Sequence, residues 1–429
     1  MAITKIEVPE LFDFGSDNSA FKLPTGTTAE RPTSPSNGEM RFNTTTGYVE
    51  YYDTTDAQWW EIDYASDPIV PSDNFNTVLY TGTGSGSKSV TGVGFQPDLV
   101  WGKATNSGSL SHILFDAVRG ENKQISSDLP AAQVVRGSAA YEFDSDGFTV
   151  TTAGNLNNSN NFVAWCWKAG GAPTATNSGG QTPTLGSKMV DGVASTANFA
   201  TSTSYPLRQS VNSSTGFSIT TITKSATNIP LEVPHGLNSP PELIMLKTTS
   251  TSDDWNQWQT AIGTGAYLST NRNGGNDGAT AGAAYNFTVV NNDIIRNQWT
   301  NAIRTWVCYA WHSVAGYSKM GSYVGNGSNT GTVVDTGFEP AWVMIKSSSS
   351  NDGGGGAWLI YDNKRSTSNP RNKRLYANYN YAEATNSNYD LDFLTASPKG
   401  FQPKYGASSW GFNTVNVEYI YMAFAVDPT

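Results

Sequence analysis

Cysteine, histidine and charge are all scarce in this chain of 429 residues. It has two Cys and three His, and Asp, Glu, Lys and Arg together make up 14%, against a usual charged share of about 25%. Cys166 and Cys308 fall near the ends of similar apolar runs, and the expectation is two buried free thiols rather than a disulfide. His112, His235 and His312 are isolated, with no His-Glu-x-x-His and no paired Cys at metal spacing, so neither a metal nor a cofactor is expected. No Gly-x-Ser-x-Gly occurs; Gly82-Thr-Gly-Ser-Gly86 has the wrong order and reads as a loop. No apolar run reaches the ~18 residues of a membrane helix, which argues against membrane insertion. Met1 to Glu10 has neither a basic start nor an apolar core, so no secretory signal is expected.

Net charge is −10, which disfavours nucleic acid as a partner. The one basic stretch, Lys364 to Arg374, reads as a solvated loop. With few charges, the polar surface must be largely Ser, Thr, Asn and Gly. Aromatics at 12% supply material for a large core.

Three stretches organise the chain: Gly94-Phe-Gln-Pro-Asp-Leu-Val-Trp-Gly-Lys103, Gly236-Leu-Asn-Ser-Pro-Pro-Glu-Leu-Ile-Met-Leu-Lys247 and Gly337-Phe-Glu-Pro-Ala-Trp-Val-Met-Ile-Lys346. Each is a glycine turn and a proline feeding a short alternating strand that ends in Lys. Three copies make a repeat. Each copy closes on a run apolar at every position, 162–167, 306–311 and 419–424, expected mid-sheet and covered on both faces. No segment has helical periodicity; apolar positions alternate between Gly, Asn, Ser and Pro. The expected fold is all-β: three tandem β-sandwich-like repeats of roughly 100 residues each, at 75–171, 211–316 and 317–429. A Ser/Thr/Gly-rich connector at 172–210 separates the first two. Residues 1–64 hold a proline-punctuated arm to about residue 37, then a small β module with strands around 40–43, 48–52 and 58–62.

Two acidic features admit more than one reading. Asp144-Ser-Asp-Gly147 has alternate carboxylates, but the later ligands of a calcium loop are missing, and a hairpin turn explains the same letters. Asp116-x-x-Arg119 and Asp362-x-x-Arg365 recur in repeats 1 and 3 but not in repeat 2, which favours a loop-pinning ion pair over a ligand site needed in every repeat. No catalytic residue is assigned. Asp390 and Asp392 are the acids on which a glycoside-cleaving alternative would rest. Trp255, Trp258, Tyr379 and Tyr381 lie in polar, Asn- and Gly-rich segments. If exposed, their rings would stack on sugar faces; core or subunit-interface packing is the other reading.

Leu23-Pro-Thr-Gly-Thr-Thr-Ala-Glu-Arg-Pro-Thr-Ser-Pro35, followed by Gly38-Glu-Met-Arg-Phe-Asn-Thr-Thr-Thr-Gly47 and Val49-Glu-Tyr-Tyr-Asp53, resembles the N-terminal segment of tail-fibre-like virion proteins of marine bacteriophages. The repeat unit, with its Trp167-Lys-Ala-Gly-Gly-Ala-Pro173 exit and Gly216-Phe-Ser-Ile219 restart, resembles a repeat in marine phage structural proteins. The resemblance implies a non-enzymatic virion protein, docked to other virion proteins by its N-terminus. It also implies a homotrimer that contacts the host surface, with glycan as the expected ligand. The alternatives are a capsid decoration or tail adaptor protein without a receptor, and a polysaccharide depolymerase.

Overall fold

A computed structural model describes residues 23–62, 69–137, 140–272, 286–299, 302–348, 356–404 and 412–427. Among these residues the fold is all-β: thirty-two strands and five three-residue 3-10 turns. The chain divides into two units, Met1–Pro68 and Ile69–Thr429.

In the first unit, Met40–Asn43, Tyr48–Asp53 and Gln58–Ile62 form the expected antiparallel meander. The preceding stretch is not a free arm from residue 23 on. Thr25–Gly26 adds a parallel strand beside Phe42 and Asn43. A 3-10 turn at Thr28–Glu30 carries a capping box between Thr27 and Glu30. Glu50 is buried, bonded to Arg31 at 2.6 Å and to Asn43 at 3.0 Å. This ion pair ties the 25–31 stretch to the sheet, which by itself is too small to bury much apolar area. The rest of the expected arm, residues 1–22, lies outside the described residues.

The second unit holds the three repeats, each a two-sheet sandwich of one pattern. In repeat 1 the main sheet runs Phe75–Thr81, Asn161–Trp167, Leu99–Ala104, Ile113–Asp116 in space. Repeat 2 repeats this order with Phe217–Thr223, Thr305–Trp311, Leu243–Thr248 and Asn256–Gln259. Repeat 3 does so with Ser318–Val324, Glu418–Ala425, Pro340–Ser347 and Leu359–Asp362. A three-stranded sheet covers each one, with Gly147–Thr151, Ile294–Asn297 or Gly400–Pro403 in its middle. Gly94, Gly236 and Gly337, which open the repeated motif, all have positive φ (90°, 76° and 83°), a conformation glycine adopts without penalty. The connector is not a passive spacer: its Lys188–Val190, Val193–Ala194 and Pro206–Asn212 extend the main sheet of repeat 2 to seven strands.

The strand that closes each repeat is covered on both faces, as its sequence demands. In repeat 1, Phe162, Ala164 and Cys166 face that repeat's own sandwich core. Val163, Trp165 and Trp167 face a second core shared by all three repeats. Val307, Tyr309 and Trp311 enter the shared core from repeat 2, and Ile420, Met422 and Phe424 from repeat 3. There Trp167 lies 6.4 Å from Trp311, 5.8 Å from Trp342 and 5.7 Å from Phe424, ring to ring. The repeats are therefore not independent beads on a string.

Polar contacts close the three into a ring. Trp255 of repeat 2 donates to the Ser126 carbonyl of repeat 1 (2.8 Å), and Trp358 of repeat 3 donates to the Ser269 carbonyl of repeat 2 (3.1 Å). His112 holds the equivalent position in repeat 1 and faces the Tyr376 backbone of repeat 3, although its Nε2 finds no well-formed partner. In the same sense round the ring, Tyr309 OH donates to Asp116 (2.6 Å) and Trp165 Nε1 to Asp362 (3.1 Å). At the third junction Gln259 stands where the aspartate would be and Met422 where the donor would be, by the strand register. Acceptor and donor are missing together, so no polar group is stranded by either loss.

Candidate binding site

Two of the four aromatic residues expected to meet a ligand are interior. Trp255 is 0% exposed and Trp258 5% exposed, and each indole N–H is spent on a backbone carbonyl, Ser126 and Gly263 respectively. Core packing claims both, and neither offers a face to a sugar. Tyr379 and Tyr381 differ. They stack at 4.6 Å with ring planes 10° apart, and Tyr376 meets both edge-on at 5.9 and 6.1 Å. Tyr379 is half-buried and Tyr381 is 52% exposed. The segment carrying them is pinned to repeat 1 at both ends. Ser127 Oγ donates to the Ala377 carbonyl (2.7 Å), and the Glu383 amide donates to the Thr105 carbonyl (2.7 Å). The pair is thus a rigid, partly open aromatic platform at the junction of repeats 1 and 3.

The recurring Asp-x-x-Arg pairs are structural. Asp116 accepts from Arg119 Nε, and Asp362 from Arg365 Nε at 2.5 Å; all four residues are buried. Their guanidinium groups also bond the Leu114 and Ile360 carbonyls. The basic stretch 364–374 is not a solvated loop. Arg365, Arg371 and Arg374 are buried, and the Arg374 guanidinium lies 4.0 Å over the Tyr389 ring. Asp144–Gly147 is a hairpin turn, with Asp146 accepting from the Gly92 and Gly94 amides. Asp392 pairs with Lys404 at 3.0 Å. Burial and the neighbouring Asp392 push the Asp390 carboxyl above its ordinary range. Among the described residues no cluster of His, Cys, Asp and Glu could hold a metal ion, and no helix is long and apolar enough to cross a membrane. Cys166 and Cys308 are free and buried.

The lysine that ends each repeated motif is buried. Lys103 Nζ donates to the Ala104 and Ser107 carbonyls, and Lys247 Nζ to those of Thr248 and Pro130. Burial lowers both ammonium groups to about 8. They serve as internal caps for strand-end carbonyls.

His235 is held neutral by its partners. The Leu237 amide donates to Nδ1 (3.1 Å), which leaves Nε2–H to donate to the Asn291 carbonyl (2.8 Å). Burial lowers its pKa to about 4. The unfolded imidazole takes a proton near pH 6.5 and the folded one only near 4, so His235 costs nothing at neutral pH and destabilises increasingly as pH falls between those values. The full cost is about 3 kcal/mol. A His235→Gln variant should therefore lose ground to the parent at pH 7 and recover about 2–3 kcal/mol of that deficit by pH 4.5, read by urea unfolding at both values. A deficit independent of pH would mean that the imidazole takes up its proton equally readily in the folded and unfolded chain. His112 adds to the same acid sensitivity: burial depresses it well below its ordinary range, and Nδ1 already accepts from Trp101 Nε1 (2.9 Å).

Two clefts of related construction lie at successive junctions. One, of about 360 Å³ between repeats 3 and 1, is lined by Lys364, Arg365, Lys373, Glu383, Thr105 and Asn161, among others. The other, of about 200 Å³ between repeats 1 and 2, is lined by the corresponding Arg119, Lys123, Gln133, Thr249 and Thr305, with Arg208 from the connector strand.

The profile of a family described as a domain of unknown function (DUF7483) matches residues 70–203 and again residues 188–428. The chain belongs to this family. No curated protein and no solved structure matches it. The two DUF7483 matches take in all three sandwiches and the connector. The shared core, the ring contacts, the tyrosine platform and both clefts thus lie within the family's domain, and the N-terminal module lies outside both matches.

Motif reading overlooked the clefts because each is made by two repeats. The available signal was the shared spacing of Lys123 with Gln133 and of Lys373 with Glu383, which becomes visible only once a four-residue insertion after Arg365 is allowed for.

Proposed function

We propose that this chain is a structural protein of a bacteriophage particle, tail-fibre-like in role. It docks through its N-terminal module, assembles as a homotrimer and contacts host-surface glycan with its repeats, without catalysis. The observation that supports the glycan contact is the Tyr379–Tyr381 stack. Its planar faces are partly open and braced at both ends, so little ordering entropy is lost when a sugar ring lies against them. The virion role and the trimer rest on the resemblance of residues 23–53 and of the repeat unit to marine phage proteins.

Stacking on one ring contributes on the order of 1 kcal/mol, about fivefold in affinity. Several copies on one particle multiply that weak grip. Tyr381→Ala should therefore cut binding of single-chain protein to host polysaccharide about fivefold, and adsorption of assembled particles by more. The readouts are surface plasmon resonance for the first and phage adsorption for the second. Unchanged affinity would remove the platform from the reading. Antibody label over the head rather than the tail would replace the fibre role with capsid decoration. Release of reducing ends from the polysaccharide would replace binding with depolymerisation.

A further inference from the structure

The two junction clefts share a frame but differ in charge. In the cleft between repeats 3 and 1, Glu383 bonds Arg365 Nη1 at 3.3 Å and pairs with Lys373 at 3.8 Å. Arg365 and Lys373 are thus answered from within, while Lys364, exposed in the same cleft, makes no ion pair among the described residues. In the cleft between repeats 1 and 2, Gln133 holds the place of Glu383. It takes the same bond from Arg119 Nη1 at 3.3 Å, and its backbone amide bonds the Thr249 carbonyl as that of Glu383 bonds Thr105. Lys123 stands where Lys373 stands, by the strand pairing, and has no carboxylate to pair with among the described residues. Arg119 is neutralised by Asp116 beneath it.

A further cation joins from a segment that the other cleft lacks. Arg208 lies on the connector strand Pro206–Asn212, just after a β-bulge that breaks the register between Pro206 and Arg208. Bulges re-aim side chains, and Arg208 Nε is held by Thr176 Oγ1 at 3.1 Å. Arg208 makes no ion pair among the described residues either. The two unanswered charges share the cleft with Thr221, Thr249 and Thr305. Burial, then Arg208 and Arg119, lower the Lys123 ammonium, which places these cations within electrostatic reach of one another.

We propose that the cleft between repeats 1 and 2 is a binding site for an oxyanion, a sulfate or carboxylate group on a hydroxylated ligand such as an acidic sugar, held by Lys123 and Arg208. Two unpaired cations converging in a half-buried cleft on a chain of net charge −10 repel each other, and an anion relieves that cost. The threonines offer hydrogen bonds to the remaining oxygens or to sugar hydroxyls. The volume of about 200 Å³ admits one such group with the ring that carries it. The site does not depend on the tyrosine platform, which sits at the other junction.

The test is calorimetric titration of the full chain with sodium sulfate, sodium glucuronate and glucose at constant ionic strength. Charge-assisted hydrogen bonds from two cations to a small anion support a dissociation constant on the order of 1 mM for sulfate or glucuronate, with glucose inert. Lys123→Met/Arg208→Met should weaken it by at least about tenfold. Gln133→Glu should abolish it by supplying the internal carboxylate of the sister cleft, whose architecture already accepts that group. Binding of sulfate alone narrows the ligand to tetrahedral anions, and binding of both anions admits uronic acids; either supports the site. Equal binding by the parent, Lys123→Met/Arg208→Met and Gln133→Glu, with circular dichroism showing each variant folded, would overturn it, as would no binding by the parent.

Discussion

Truncating Trp167 to alanine should destabilise all three repeats together, by about 3–5 kcal/mol. The side chain belongs to repeat 1 by sequence, yet its ring packs against Trp311 of repeat 2 and against Trp342 and Phe424 of repeat 3. Removing it opens a void that none of the three sheets can fill alone. Hydrogen exchange at rising denaturant is the discriminating measurement. Amides of the closing strands 161–167, 305–311 and 418–425 should lose protection at one denaturant concentration, lower than in the parent. If only the amides of 75–171 move, the repeats are energetically separate and the shared core contributes little. Trp167→Phe is the control. It keeps an aromatic ring in place and removes an indole N–H that is buried without a hydrogen-bond partner, so it should cost much less.

A second large loss is expected at Asp116. Its carboxylate accepts from the Arg119 amide and Nε and from Tyr309 OH of the next repeat, all in the interior. Asp116→Ala leaves a buried guanidinium unpaired, and breaking a buried pair from one side costs about 3–5 kcal/mol. Tyr309→Phe removes one donor and leaves Arg119 paired, so about 1–2 kcal/mol is expected. The double variant should be little worse than Asp116→Ala, because the hydroxyl has nothing left to donate to. Urea unfolding of the four proteins gives the coupling. Strict additivity would mean that the hydroxyl and the carboxylate do not interact, and the ring contact between repeats 1 and 2 would have to be redrawn.

How far the sequence carried depends on the range of the contact. An unbroken apolar run showed that 162–167 is covered on both faces, and Asp144–Gly147 declared its turn, because both are local patterns. What covers the second face was not legible. Trp165 meets Asp362 across 197 positions, and no periodicity reports a partner that far away. Trp255 and Trp258 were misplaced because the polar letters around them resemble a loop. Trp255 nevertheless precedes its strand as Trp358 does in repeat 3, and that equivalence points inward. The cations of 364–374 were read as solvated because charge is normally left in water; here each guanidinium finds a carboxylate, a carbonyl or a ring. Of the candidate ligand contacts, Tyr379 and Tyr381 were legible as aromatics in a polar segment. The oxyanion cleft was not, since Arg208 reaches it from a connector that composition alone presents as filler.

The ring also settles where its own ends lie. The Ser72 amide bonds Asp427 Oδ1 at 2.8 Å, and Phe75 stacks on Phe424 at 4.7 Å. The first and last strands of the three-repeat body are neighbours. Nothing in its packing marks the covalent start as privileged, and a short linker could join residues 72 and 427 while a new opening is cut in the connector near Gly179 and Gly180, which are exposed. Such a circular permutant would carry the same contacts in a different genetic order, and any cargo fused at its new termini would leave the body from the connector instead of from the neighbouring first and last strands.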